Sequence, residues 1–412
     1  MENRRILNVL EVLKKGVVVL ILLTFFLGGW AQFFIGIPVT LYAFCLVLWV
    51  YVLVFIDILA RRKIIYNYLF FITFLYLVYI IFVGILRSVN LLNIIFYTLF
   101  ALAPLAFFYL MKVFEKRELK LEIEKLLKWL IYLQLPILLL QKFGYYFLIG
   151  FKGSSQVVAK VDFMFGTFFL KADHALGFFL IMYLLSIFIK IRKREIEKIP
   201  WFIILYIITL IFLIQSNLTK IILLSILLYY VALYLYKKLS VFSLVIAFIL
   251  FIGVLNIAIK TIPALQWEVY HIQNLYTPEQ SHIAVERGYA KRPQVIIDQL
   301  YNYPLKIIGN GPYDYFDLSK SAFKNTIHFS QLIWTYNDLG LVGVILVFLI
   351  TYLIVKKLHL NKESFFIMFF VLTLYLFMTT FYNDVAIMLT LFLLKTHFFR
   401  KESNTIQSKS IQ

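Results

Sequence analysis

The sequence predicts an all-α polytopic membrane protein: a bundle of about 12 transmembrane helices, with a large, partly helical extracytoplasmic loop between helices 9 and 10. Composition is the first observation behind this. Of 412 residues, 63% are hydrophobic and only 15% are charged, and the mean hydropathy of +0.89 is far from that of a soluble domain. The second is the recurrence of apolar runs of roughly 17 to 25 residues between short charged turns, each long enough to cross a hydrocarbon core of about 30 Å as a helix. The third is backbone chemistry, because N–H and C=O groups in hydrocarbon must be satisfied internally, which rules out open sheets.

Taken in order, the spans fall at roughly 16–34, 38–59, 64–86, 91–111, 126–147, 172–190, 200–215, 220–236, 240–260, 334–355, 364–381 and 384–399. The basic N-terminus leads into a first span that runs on through Gly36, Ile37 and Pro38 without a small-residue cleavage site, so the first helix is expected to act as its own targeting signal. Cys45 lies within an apolar run; as the lone cysteine it excludes an internal disulfide, and it is expected to be an inert core residue. Asp57 is expected to pair with Arg61 and Arg62. Glu118, Glu122, Glu124 and Lys125 fall at helical spacing between Lys116 and Lys128, as in a short amphipathic surface helix.

The formal charge of +19 would suggest nucleic acid in a soluble protein, but topology accounts for it. Alternate turns carry Arg61 to Lys63, Lys112 to Lys128, Arg192 to Arg194, Lys237 with Lys238, and Lys356 with Lys357, and both termini are basic. About 27 of the 40 Lys and Arg residues and about 10 of the 21 Asp and Glu residues fall on that side, which the positive-inside rule makes cytoplasmic. Both termini are then inside. The chain reads as one integral membrane domain over 1–412, with an extracytoplasmic insert at 261–333 of nearly balanced charge.

That insert is the one large block of water-compatible sequence, and connections of its length tend to be functional. Ile283 to Tyr303 reads as mostly helical, with a helix start marked by Arg292–Pro293 and a stop at Asn302–Tyr303–Pro304. Gly309 and Gly311 read as turn glycines beside Pro312.

Ionisable groups beside spans are costly and are functional candidates. Here they gather at the outer ends. Lys171, Asp173 and His174 open the sixth span, and Lys220 lies in the turn between the seventh and eighth. His328 and Asp338 flank the entry to the tenth, and Asp384 opens the twelfth. Each could be no more than a wetted anchor. Lys220 opposes the orientation bias and could serve a phosphate as a point charge. A neutral His328 imidazole is a general base near pH 7. Arg287 and Arg292 offer forks for phosphate oxygens, although either could pair instead with Glu286 or Asp298. His271 and His282 have no partner that spacing supplies. There is no Cys/His cluster with ligand spacing, and Gly309–Asn310–Gly311 lacks the lysine and helix of a phosphate loop. No cofactor and no metal are expected.

The order of these features resembles the O-antigen ligase and O-antigen polymerase superfamily of bacterial cell-surface polysaccharide synthesis. Ser216–Asn217–Leu218–Thr219–Lys220 is similar to that family's Ser-Arg-Thr-like turn, with lysine as the cation. Arg292, then Tyr303–Pro304 and Gly309–Asn310–Gly311, follow its loop pattern, with a longer spacing from Pro304 to Gly309 than usual. His328 to Leu332 and Leu339–Gly340–Leu341–Val342–Gly343 follow its loop end and helix start. Gly166–Thr167–Phe168 with Asp173–His174–Ala175 is similar to a pattern before the sixth span. By motif the resemblance covers Gly166 to Gly343, and elsewhere it is one of topology.

The resemblance implies a metal-independent glycosyltransferase of the bacterial inner membrane. It would act as a polymerase of lipid-linked repeat units of O-antigen, capsule or exopolysaccharide, moving glycan from an undecaprenyl-diphosphate carrier to an acceptor sugar hydroxyl. A ligase acting on lipid A core is the close alternative, and a polysaccharide-lipid flippase is one of another class. The flippase would be expected to show midplane charges or discontinuous helices in both halves, and the sequence displays neither. The expected catalytic residues are His328, Arg292, Arg287 and Lys220, and the substrate-binding residues Asp173, His174, Lys171 and Asp338. The expected partners are the carrier-linked oligosaccharide, an acceptor glycan and membrane lipids, with a chain-length regulator or a flippase as candidate protein partners and no nucleic acid.

Overall fold

The computed structural model describes residues 23–37, 39–61, 67–115, 123–153, 160–169, 173–196, 198–214, 216–238, 241–316, 330–358, 360–379 and 381–394, with isolated positions before residue 20. Of the protein's described residues 83% are helical, and none is in a strand. Its helices are α1 (Leu23–Ile35), α2 (Val39–Arg61), α3 (Tyr68–Leu86), α4 (Leu91–Ala101), α5 (Ala103–Glu115), α6 (Ile123–Phe143), α7 (Asp173–Arg192) and α8 (Trp201–Leu213). Next come α9 (Asn217–Lys238), α10 (Val241–Thr261), α11 (Pro263–Leu275), α12 (Pro278–Glu286), α13 (Arg292–Asn302), α14 (Gln331–Lys356), α15 (Lys362–Met378) and α16 (Val385–Leu394).

Among the described residues six segments are long and apolar enough to cross a membrane: Leu41–Ala60, Tyr68–Leu86, Leu91–Tyr109, Lys125–Phe143, His174–Arg192 and Gln331–Lys356. Asparagine side chains start two of these, and α15 as well. Asn67 Oδ1 accepts the Phe70 N–H at 2.9 Å, Asn90 that of Leu92 at 3.0 Å and Asn361 that of Ser364 at 2.9 Å, each satisfying a donor that the helix itself leaves open.

Helix α7 is the axis of the bundle. It is apolar on all sides, which suits a helix surrounded by protein, and 83% of its apolar stretch is buried, against 33% for α2, α3 and α6. Those peripheral helices turn large side chains such as Phe55, Phe71 and Trp129 outward, which water would penalise and lipid would not. Cys45 belongs to this outward set, being exposed on α2 rather than in the core.

Two contacts run α15 antiparallel to α7. Arg192 Nη2 meets Glu363 Oε2 at 2.7 Å, and the Phe178 and Tyr375 rings lie edge to face at 4.8 Å. The start of α14 joins the far end of α15, where the Gln331 N–H donates to Thr379 O at 2.8 Å. The bundle therefore has a His174 end and an Arg192 end. Asp57, toward the C-terminus of α2, is fully buried and accepts the Tyr109 hydroxyl at 3.2 Å. The expected partner Arg62 and the surface-helix residues Lys116 to Glu122 lie outside the described residues, as does the Arg61 side chain.

Candidate functional site

Helix α14 begins at Gln331, capped by Ser330, but it is not continuous. At Gly340 the backbone takes φ +73°, ψ −166°, a conformation open to glycine and strained for any residue with a Cβ. The groups freed by this break are taken up by the stretch 306–311 laid alongside. The Asn310 N–H donates to Asn337 O and the Gly311 N–H to Asp338 O, both at 2.9 Å; in return the Leu341 N–H donates to Lys306 O at 2.9 Å. Tyr79 of α3 donates its hydroxyl to Leu339 O at 2.8 Å. Gly309 is a close-approach residue rather than a turn residue, because a Cβ there would fall 2.2 Å from the Asp338 carbonyl carbon. Gly311, at φ +122°, is the turn.

Asp338 anchors the far side of this stitch. It is fully buried, and its carboxyl accepts the N–H groups of Tyr313 (3.0 Å) and Tyr315 (2.8 Å), the Asn337 amide (3.0 Å) and the Trp334 indole. Tyr97, Tyr313 and Trp334 pack edge-on and tilted around it. Burial, then the Asp338 charge, pushes the Tyr313 phenol up to about 12. Beside this core, Asp314 Oδ2 accepts Asn310 and Asn337 amides at 2.9 and 3.0 Å. Arg87, which ends α3, donates Nε to Gly309 O at 2.9 Å. Lys306 is half-buried; burial lowers its pKa and Arg87 adds to that, with Asp314 and Asp338 opposing.

A second non-helical stretch, residues 163–169, is buried throughout. Two glutamines of α6, seven residues apart and so on one face, supply what a helix ladder would. Gln141 brackets Gly166, accepting its N–H at 2.9 Å and donating to its carbonyl at 2.8 Å. Gln134 accepts the Thr167 N–H at 3.1 Å and donates to its hydroxyl at 2.9 Å. The wide π-helical turns of α1 supply the rest. Thr167 Oγ1 donates to Phe25 O, and the Gly29 N–H donates to Thr167 O at 3.1 Å. A Cβ on Gly29 would lie 1.7 Å from Phe168 O.

His174 heads a third cluster. Its Nδ1 lies 3.1 Å from Ser216 Oγ, which accepts the Thr219 hydroxyl at 2.9 Å; that hydroxyl is 3.2 Å from Tyr375 Oη. Ser216, Thr219 and Tyr375 are buried. A Cβ on Gly177 would fall 2.0 Å from Thr219 Oγ1, so the glycine lets α7 and α9 close on each other. The serine–threonine turn expected to be functional thus joins three helices.

The described part of the insert folds as α11 to α13 followed by the stitch. Helix α13 starts at Arg292 and ends at Asn302, where the proline signals predict. His282, which spacing leaves without a partner, has two: Nδ1 lies 2.8 Å from Asp298 Oδ1 and Nε2 3.4 Å from Glu286 Oε1. Asp298 is fully buried, also accepts the Asn302 amide at 2.8 Å, and leaves Oδ2 without a hydrogen bond. Its hydrogen bond raises the His282 pKa. The carboxylates expected to compete for Arg287 are therefore held by a histidine, and Arg287 is exposed at the end of α12.

Of the residues expected at the site, His174, Lys220 and Asp338 come to the His174 end: the first two through the Ser216–Thr219 turn, and Asp338 in the first half of α14. Arg287 and Arg292 stand on the α12–α13 hairpin. Lys171 and His328 lie outside the described residues, as does the Asp173 side chain, whose backbone starts α7. Asp384 Oδ1 accepts the N–H groups of Ala386 (2.9 Å) and Ile387 (3.1 Å) and so acts as a helix cap. Among the described residues no group of three His, Cys, Asp or Glu side chains converges as a metal site.

No family model, curated protein or solved structure matches this chain.

What the arrangement can do must therefore be read from its own chemistry. It sets polar side chains, cations and irregular backbone at one end of an otherwise apolar bundle, where an amphiphile could place its two halves. Sequence reasoning passed over Arg87, Lys306 and the Gln134–Gln141 pair. Arg87 lies in a turn whose side opposes the charge bias, the signal that picked out Lys220. Two glutamines seven apart in an apolar helix are likewise visible in sequence. Nothing local marks Lys306.

Proposed function

We propose that the protein is a polymerase of lipid-linked oligosaccharide repeat units in a bacterial inner membrane. In this reading the bundle has about 12 spans with both termini cytoplasmic, and the 261–333 insert lies outside. The observation that carries it is the stitching of the insert onto the α14 break, with Arg87 and Lys306 beside it. A lipid diphosphate needs cations at the end of an apolar body. In the reaction the acceptor hydroxyl oxygen bonds to the anomeric carbon, the bond from that carbon to the diphosphate oxygen breaks, and undecaprenyl diphosphate leaves. His328 takes the hydroxyl proton, Arg287 or Arg292 and Lys220 neutralise the leaving diphosphate, and Asp173 and His174 orient the sugar. A ligase would use the same parts with lipid A core as acceptor.

The test is reconstitution in liposomes with undecaprenyl-diphosphate-linked oligosaccharide and no nucleotide sugar. Lengthened glycan is expected, and a folded His328→Ala variant should make at least about a hundredfold less of it. Full-length product from that variant would remove His328 from the mechanism.

A flippase gains one specific observation. Gly340 breaks α14, and interrupted helices line substrate paths in transporters. Movement of the lipid across the bilayer without new glycosidic bonds would favour that reading.

A further inference from the structure

Helices α3 and α4 diverge to leave a groove of about 480 Å³ that is apolar along nearly all its length. Leu77, Ile81 and Ile85 line one wall and Leu91, Ile95 and Leu99 the other. It opens sideways, since Ile85, Leu91 and Ile95 are all more than half exposed. Such a groove could hold any hydrocarbon, so what stands at its mouth decides the occupant.

At one end the mouth meets the α3–α4 turn, in which Arg87, outside the lining itself, follows Ile85 by two residues and precedes Leu91 by four. The turn is fixed in shape: Ser88 takes φ +51°, the Val89 N–H donates to Gly84 O at 2.9 Å, and Asn90 caps α4. Among the described residues Arg87 spends only Nε, donating to Gly309 O. Its two terminal nitrogens have no hydrogen-bond or ion-pair partner among the described residues. Lys306 lies three residues before Gly309, its backbone pinned on both sides by Tyr336 Oη and the Leu341 N–H. Its Nζ likewise has no partner among the described residues. Among the described carboxylates nearby, Asp338 is committed to its four donors, and Asp314 gives Oδ2 to two asparagines while its charge also acts on Lys306. Two unspent cations held near each other, one half-buried, favour an anion with several oxygens. A single phosphate diester with a choline or glycerol head offers fewer.

We propose that the α3–α4 groove, with Arg87 beside its end and Lys306 near Arg87, is the seat of a polyprenyl diphosphate, its chain in the groove and its diphosphate between the two cations. This rests on the lipid-diphosphate reading above, whose carrying observation includes Arg87 and Lys306, and assigns those two cations to holding the carrier before Lys220 and Arg287 or Arg292 meet its leaving group.

The test uses the full chain in phosphatidylcholine nanodiscs with radiolabelled undecaprenyl diphosphate. Binding is expected to be at least about tenfold tighter than that of undecaprenol, which lacks the phosphates, or of isopentenyl diphosphate, which lacks the chain. Lys306→Gln should weaken it about tenfold without moving the thermal midpoint, because Nζ holds no part of the fold. Arg87→Gln should weaken it at least as much, and Arg87→Lys less. Ile95→Trp, which fills the groove, should weaken undecaprenyl diphosphate while leaving isopentenyl diphosphate unchanged. Equal displacement by phosphatidylglycerol, or wild-type affinity in both Lys306→Gln and Arg87→Gln, overturns the site. Glycan transfer that persists with unchanged KM in those variants overturns the site and leaves the polymerase standing. Intact carrier binding without glycan transfer by the wild type does the reverse.

Discussion

Single residues hold the most consequential geometry. Gly340 combines a left-handed φ with a position where a Cβ would meet Ile307 O at 2.4 Å, so Gly340→Ala faces both backbone strain and a clash with immovable backbone. It should lower stability by more than about 3 kcal/mol, seen as a large drop in the thermal midpoint in detergent. Gly309→Ala should behave alike, whereas Gly253→Ala, with open space around it, should not. Asp338→Ala would strand three buried N–H donors and an amide, and is expected to cost at least about 3 kcal/mol. His282 carries a pH prediction. Its folded pKa is raised by Asp298, so its stabilising effect is complete below the ordinary histidine value near 6.5 and fades as pH rises through the folded pKa. Amide hydrogen exchange in α12 and α13 should therefore quicken over that rise. Asp298→Asn should return the His282 proton resonance to an ordinary titration.

At the scale of elements, two stretches of irregular backbone are made tolerable by different means. The stretch 306–311 is satisfied by other backbone at the α14 break, while 163–169 relies on the side chains of Gln134 and Gln141. Buried backbone groups left unpaired cost about 1–3 kcal/mol each, so Gln141→Ala, which removes two bonds, should destabilise by about 2–4 kcal/mol. Gln141→Leu should do no better although it fills the space, and unfolding in detergent measures both. A result near zero for Gln141→Ala would mean that water replaces the amide. This contrast explains what was legible in sequence. Apolar runs and the Arg292–Pro293 start announce helices because their signals are local. The α14 break is written only as Leu339–Gly340–Leu341, which also reads as ordinary helix; its cause is the approach of Ile307 and Gly309 from far along the chain.

For the molecule as a whole, polarity is the organising fact. The Arg192 end carries the Arg192–Glu363 ion pair, whereas the His174 end gathers histidine, serine, threonine, tyrosine and the stitched loop. In the sequence His174, Lys220 and Asp338 stand out at scattered positions as ionisable groups beside apolar spans, and the fold brings them to one end. The sequence could not foresee that Asp338 would be consumed by four internal donors, because saturation depends on a loop folding back. On the proposed topology, single cysteines in a Cys45→Ala background should label from opposite faces: Tyr289→Cys, exposed in the insert, from outside, and Lys193→Cys from the cytoplasm. Labelling of both from one side would reverse the assignment of the insert.

The α14 break also bears on how the chain is assembled. From Leu341 to Lys356 the helix rises only about 24 Å, short of the roughly 30 Å of hydrocarbon, and the missing length lies beyond an interruption that is satisfied only by 306–311 and by Tyr79, 260 residues away in sequence. While it is being synthesised, this segment is a poor membrane anchor by itself. Its docking against α3, a helix made much earlier, is therefore expected to be a late step in biogenesis and a point where quality-control proteases would meet an unfinished chain.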